Sequence, residues 1–159
     1  MAQWTDAAAV FSPCGCYRYA LWRSWQGGEG ELLVVGLNPS TADALSDDAT
    51  LRRCIGFARN WGFAGLRLAN LFAWRSRDPR LLQRVADPVG PENDRWLRRL
   101  AAGSAMRLVA WGARGQLGGR AERVLDLLPE RHCLGFTRSG QPCHPLYLPA
   151  TRRPRPWQP

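Results

Sequence analysis

"VVGLNPSTADALSDD", Val34–Asp48, carries the chain out of an apolar strand through Gly, Asn, Pro and Ser, then past three aspartates before the next helical segment. A plain connector needs only a few turn residues. A polar exit of this length suggests a strand end built to hold a ligand. The strand itself is "ELLVVGLN" (31–38). "GLRLANLFAW" (65–74) and "AMRLVAWG" (105–112) repeat its form, with four or more apolar residues closing near Gly or Asn, and "RHCLGFT" (131–137) reads as a short fourth strand.

Helical segments alternate with these strands. "DDATLRRCIGFARNWG" (47–62) sets Leu51, Cys54, Ile55 and Ala58 at helical spacing behind acidic cap residues and stops at Gly62. "GPENDRWLRRLAAG" (90–103) places Pro91 and Glu92 in a first turn and Gly103 just past the end. "GGRAERVLDLLPE" (118–130) is amphipathic through Ala121, Val124, Leu125 and Leu128 and ends before Pro129. Strand–helix alternation predicts an α/β fold, a parallel sheet with helices on both faces. "CYRYALWRSW" (16–25) sets Tyr17, Tyr19 and Leu21 against Arg18, Ala20 and Trp22 and reads as an edge strand or hairpin within residues 1–30. One α/β domain is expected over 1–150. The Pro- and Arg-rich tail 151–159 is expected to be extended and loosely held.

Composition bounds the function. The 159 residues suffice for one domain with a real core. No stretch has the length of a membrane span and the N-terminus has no signal-peptide pattern, so no membrane partner is expected and the expected location is cytoplasmic. Cys14, Cys16, Cys54, Cys133 and Cys143 form an odd, dispersed set, as expected of reduced thiols. The net charge is +9, and all 22 basic residues are arginine. Arginine binds phosphate with a planar fork and stacks on bases, so a polyanion partner, nucleic acid first, stands beside the plainer reading of a basic surface.

Ligands of such sheets sit beyond the carboxyl ends of the strands, and there the polar residues gather. Asn38, Ser40 and Thr41 follow the first strand, Asn70 lies in the second, Trp111 and Gly112 end the third, and His144 follows the fourth. Asn38 before Pro39 equally suits a turn, and His144 before Pro145 an ordinary loop. Asn70 sits in an apolar run, where ligand contact is the better explanation because an unpaired buried amide is costly. Asp43, Asp47 and Asp48 suit a helix N-terminus and form an acidic loop of open role.

Other chemistries fit less well. His132–Cys133 and Cys143–His144 match no common zinc spacing. Cys14, Cys16 and Cys54 match no familiar cluster spacing. "WGARGQLGGR" (111–120) lacks the Walker lysine, and no Gly-x-Ser-x-Gly occurs. No metal and no cofactor are expected.

The stretches "YRYALWRSW", "LNPSTADALSDDATLRRCIGFARNWG", "NLFAWRSRDP", "DPVGPENDRW", "AWGARG" and "GQPCHPLYLP" identify the chain as a member of the bacterial family "domain of unknown function 1643". More remotely, "GLNP" (36–39), Asn70, "AWG" (110–112) and "HPLY" (144–147) resemble, in order, motifs of the uracil-DNA glycosylase-like superfamily. That resemblance implies a three-layer α/β/α sandwich with a four-stranded, mostly parallel sheet, and hydrolysis of an N-glycosidic bond in DNA or a related nucleotide. It gives Asn38 the attacking water, Asn70 the base edge and His144 the leaving base. Phe57, Trp61, Phe72 and Trp74 would be stacking rings, and Ser40, Thr41, Arg52, Arg53, Arg75 and Tyr147 phosphate contacts. The glycosylase loop after His differs here, where Leu146, Tyr147 and Leu148 follow. Two alternatives remain open: a non-catalytic module for nucleic acid or nucleotide, and a metal-dependent hydrolase of a small acidic metabolite using the aspartates.

Overall fold

The computed structural model describes residues 3–157. Four strands form the centre of the sheet: β3 (Glu31–Gly36), β4 (Gly65–Asn70), β5 (Met106–Val109) and β6 (Arg131–Cys133). All their pairings are parallel, in the order β4-β3-β5-β6. The sheet is larger than the four strands expected. β1 (Asp6–Phe11) and β2 (Arg18–Ser24) add an antiparallel hairpin outside β4, and β7 (Arg155–Pro156) adds an antiparallel strand outside β6, giving seven strands in the order β1-β2-β4-β3-β5-β6-β7.

Three α-helices cover the sheet: α1 (Ala49–Asn60), α2 (Asn93–Ala102) and α3 (Arg120–Leu127). Strand alternation sorts the core into two clusters. Leu32, Val34, Leu66 and Leu68 pack with Leu51, Cys54, Ile55, Phe57 and Ala58 of α1, while Leu33, Val35, Ala69 and Val109 pack with Leu97 and Leu100 of α2 and Ala121 and Val124 of α3. Truncating a fully buried leucine such as Leu51 or Leu97 costs about 2–5 kcal/mol. The caps follow sequence signals. Asp48 accepts the Leu51 N–H at 2.8 Å to start α1, whereas α2 begins at Asn93 with Glu92 as its cap, slightly later than expected.

The tail is not loose where it is described. Trp157 N–H donates to the Arg131 carbonyl at 2.8 Å, Arg152 Nη1 donates to the Leu134 carbonyl at 2.8 Å, and the Trp157 ring packs at a tilt against Phe136. Unpaired groups on the outer edge of β6 accept this strand, a tertiary effect that proline content does not reveal. Gln158 and Pro159 of that tail lie outside the described residues.

The expected alternation of β2 fails at one point. Val10 pairs with Ala20, but Phe11 pairs with Arg18, so β2 carries one extra residue there. Such a shift re-aims side chains. Tyr19 stacks on Tyr17 over the α2 side, and Arg18 turns to the α1 side, where its Nη1 donates to the Ala42 carbonyl at 2.8 Å.

Candidate functional site

Beyond the carboxyl ends of β4, β3 and β5 lies a cavity of about 440 Å³, within the range for small-molecule sites. Val34, Leu68 and Ala110 give it an apolar floor. Asn38, Asn70 and His144 all line it, as do Ser40, Asp48 and Tyr147.

Backbone pairing continues past the strands and builds this rim. Leu71 N–H bonds the Gly36 carbonyl, Phe72 N–H bonds Leu37, and Ser76 N–H bonds Pro39, so the exits of β3 and β4 run side by side. Asn38 Nδ2 therefore reaches the Ser76 carbonyl at 2.8 Å and the Pro39 carbonyl at 3.0 Å. Two carbonyl acceptors fix the amide's orientation and leave Oδ1 as its free acceptor.

Asn70 is 4% exposed, and its Nδ2 has no hydrogen-bond partner among the described residues. Its position is held from behind. Asn93 Nδ2 bonds the carbonyls of Asn70 and Leu71 at 3.0 Å each, and Arg120 Nε bonds Leu71 at 2.8 Å. Gly36 stands opposite Asn70 in the parallel ladder, where a Cβ would lie 3.0 Å from Asn70 Oδ1.

His144 Nδ1 accepts the Leu146 N–H at 3.2 Å, which assigns the proton of the neutral ring to Nε2. Burial lowers its pKa, and the Asp48 charge opposes that shift. The loop bearing it is tied to the end of β5 by Trp111 Nε1 to Gln141 Oε1 at 2.8 Å and by Gly112 N–H to the Pro142 carbonyl at 2.9 Å.

The aspartates separate into three tasks. Asp43 Oδ1 closes its own loop by accepting from the Leu45 and Ser46 N–H groups and the Ser46 hydroxyl. Asp47 pairs with buried Arg23. Asp48 caps α1 and, among the described residues, is the one acid lining the cavity. Among the described residues no three His, Cys, Asp or Glu side chains group to hold a metal ion. No described helix is long and apolar enough to cross a membrane.

Several sequence candidates lie elsewhere. Phe57 is buried under α1, close to Trp61, while Phe72 is buried in the opposite cluster, and Trp74 packs on Tyr17. Their apolar rings were drawn into the two cores, so the aromatic lining is Trp111 and Tyr147 instead. Thr41 and Arg52 are exposed outside the cavity, and Arg53 on α1 is not in its lining. Arg75 is bound to the hairpin turn, donating to the Gly15 carbonyl and lying over Phe11. The arginines that do line the cavity are Arg18, Arg77 and Arg114. Arg114 directly follows "AWGA" at a strand exit and could have been flagged there, whereas Arg77 is the second arginine after "NLFAW", behind Arg75. Arg18 gave no such signal.

The model of the family described as "Protein of unknown function (DUF1643)" matches residues 18–146. The chain belongs to this family. The matched span begins at Arg18 and includes Asn38, Asn70 and His144. No curated protein and no solved structure matches the chain.

Proposed function

We propose that the cavity binds a nucleobase joined to a sugar and hydrolyses the N-glycosidic bond between them, on DNA or a related nucleotide. One observation carries the reading: side chains from two strand exits and from the loop tied to the end of β5, Asn38, Asn70 and His144, line one hollow with complementary hydrogen-bonding capacity. The order of the glycosylase-like motifs, and a parallel strand centre covered on both faces, support it.

The chemistry divides among these groups. Asn70 Nδ2, buried without a partner, is a donor for an acceptor on the base edge. Asn38 Oδ1 accepts a hydrogen bond from water and aims its lone pair at the anomeric carbon. The water oxygen bonds that carbon as the carbon–nitrogen bond breaks, and the bond's electron pair leaves with the base. His144 Nε2–H stabilises the negative charge growing on a base carbonyl, as a neutral donor. Asp48 is the only carboxylate facing the cavity among the described residues; it stabilises the cation-like sugar and takes the proton shed by the water.

The test is incubation with oligonucleotides and mononucleotides carrying uracil, hypoxanthine, alkylated and hypermodified bases, scoring abasic sites and free base. Wild-type protein is expected to release at least one base, and Asn38→Ala to lose about 10²–10³-fold in rate while still binding substrate. Binding without base release across the panel would replace the hydrolase by a nucleotide-binding module.

A further inference from the structure

Three arginines are buried to 7% exposure or less in positions outside ordinary surface pairing: Arg18, Arg23 and Arg120. Two have carboxylate partners. Arg23 bonds Asp47 Oδ1 through Nε and Nη2, and Arg120 lies 2.6 Å from Asp94. Arg18 has none among the described residues. Its guanidinium makes one hydrogen bond, Nη1 to the Ala42 carbonyl, and its Nε is buried without a partner. Of the three, only Arg18 lines the cavity.

A buried cation with no carboxylate paired to it is costly to hold in a core. Burial lowers the Arg18 pKa to about 10, which leaves it charged at neutral pH. The Asp48 and Asp43 charges offset part of this burial, but neither forms an ion pair with Arg18, and Asp48 commits Oδ1 to the Leu51 N–H. Two further arginines, Arg77 and Arg114, stand at the same lining and add positive potential. The missing partner is therefore sought in the ligand.

We propose that the ligand of this cavity carries an oxyanion that pairs with Arg18, so that the substrate is a small anionic nucleoside derivative and not a neutral base or nucleoside. The oxyanion itself follows from Arg18 alone; the nucleoside part rests on the glycosidase reading above. A guanidinium fork binds phosphate and carboxylate by the same parallel N–H···O geometry. The group is then either the 5′-phosphate of a mononucleotide or a carboxylate borne by the base.

Titration calorimetry decides between these sources. One arm compares nucleosides with their 5′-monophosphates. The second compares nucleosides with analogues carrying a carboxylate on the base. A third uses inorganic phosphate and acetate alone. Anionic ligands are expected to bind at least tenfold more tightly than their neutral parents in one of the first two arms, and the arm that responds names the group. Arg18→Met is expected to abolish that preference. Arg18→Lys is expected to retain part of it, because charge remains while the fork is lost. Equal affinity for neutral and anionic ligands in both arms, no binding in any arm, or a preference unchanged in Arg18→Met, would overturn the proposal.

Failure of the glycosidase reading looks different. The simple anions contain no glycosidic bond, so phosphate or acetate binding that disappears in Arg18→Met supports the oxyanion site even if no base is ever released. Conversely, hydrolysis of neutral substrates at equal rates by wild type and Arg18→Met would keep the glycosidase and remove the oxyanion. Thermal melting of both Arg18 variants without ligand separates lost binding from lost folding.

Discussion

Arg18 and Arg23 lie five residues apart on β2, point to the same side of the sheet and are almost equally buried, at 2% and 1% exposure. Their surroundings are opposite. Arg23 holds the acidic loop in place, bonding Asp47 through Nε and Nη2, the Asp43 carbonyl through Nη2 as well, and the Trp22 carbonyl through Nη1. Arg18 bonds one carbonyl and leaves a donor unmet beside a cavity. The contrast separates a cation spent on structure from one left available for recognition. Pairing, rather than burial or residue type, makes the difference.

The largest effect expected from this contrast is on stability. Arg23→Met strands the Asp47 carboxylate and should cost about 3–5 kcal/mol, as breaking one partner of a buried pair does. For a chain of this size that lowers the melting temperature by roughly 10 °C. Arg18→Met strands no carboxylate but leaves the buried Ala42 carbonyl unmet, and should cost no more than about 1–3 kcal/mol. Parallel urea titrations of the two variants measure both. Equal losses would mean that Arg18 is as structurally committed as Arg23, and the comparison would fail.

An intermediate effect sharpens the recognition side. Gly36→Ala places a methyl 3.0 Å from Asn70 Oδ1. The amide must shift, and affinity for the best ligand found by calorimetry should fall about tenfold, which is the loss of roughly one good hydrogen bond. Stability should change by only about 1 kcal/mol. Unchanged affinity would show that Asn70 does not read the ligand.

The smallest effect is on pH. Burial depresses the pKa of His144 in the folded chain, so below the ordinary histidine value of about 6.5 the unfolded chain takes up the proton first. The His144 contribution is therefore whole above about pH 6.5 and is lost as pH falls towards the depressed folded value. Nitrogen-15 spectra of the imidazole should show an unprotonated Nδ1 at neutral pH and a titration midpoint below 6.5. A midpoint above 6.5 would mean that Asp48 outweighs burial, and that His144 faces the ligand as a cation.

Much of the fold was legible because its signals are local. β3, β4 and β5 lie in apolar-rich runs, the three helices show amphipathic spacing, and α1 carries a polar cap. Asp48 as an N-cap and Gly103 at the end of α2 follow directly from side-chain chemistry. Asn38, Asn70 and His144 stood out as polar residues at strand exits, and the cavity gathers all three. The stacking rings were misplaced because a large aromatic residue looks the same in sequence whether it meets a ligand or a core. Phe57 and Phe72 entered the cores on opposite faces.

The sequence by itself determined the alternating strands and helices, the positive charge and the polar rim, since each depends on neighbours along the chain. Only the tertiary structure decided that the tail pairs as β7, that Asp47 is neutralised while Asp48 faces the cavity, and that Arg18 turns inward. Each of those outcomes depends on distant partners: the open edge of β6, the Arg23 side chain, and one extra residue in β2 opposite Val10 and Phe11. That single shift in register moved a cation from the face expected to hold Ala20 and Trp22 into the wall of the site, because strand facing changes with every residue inserted.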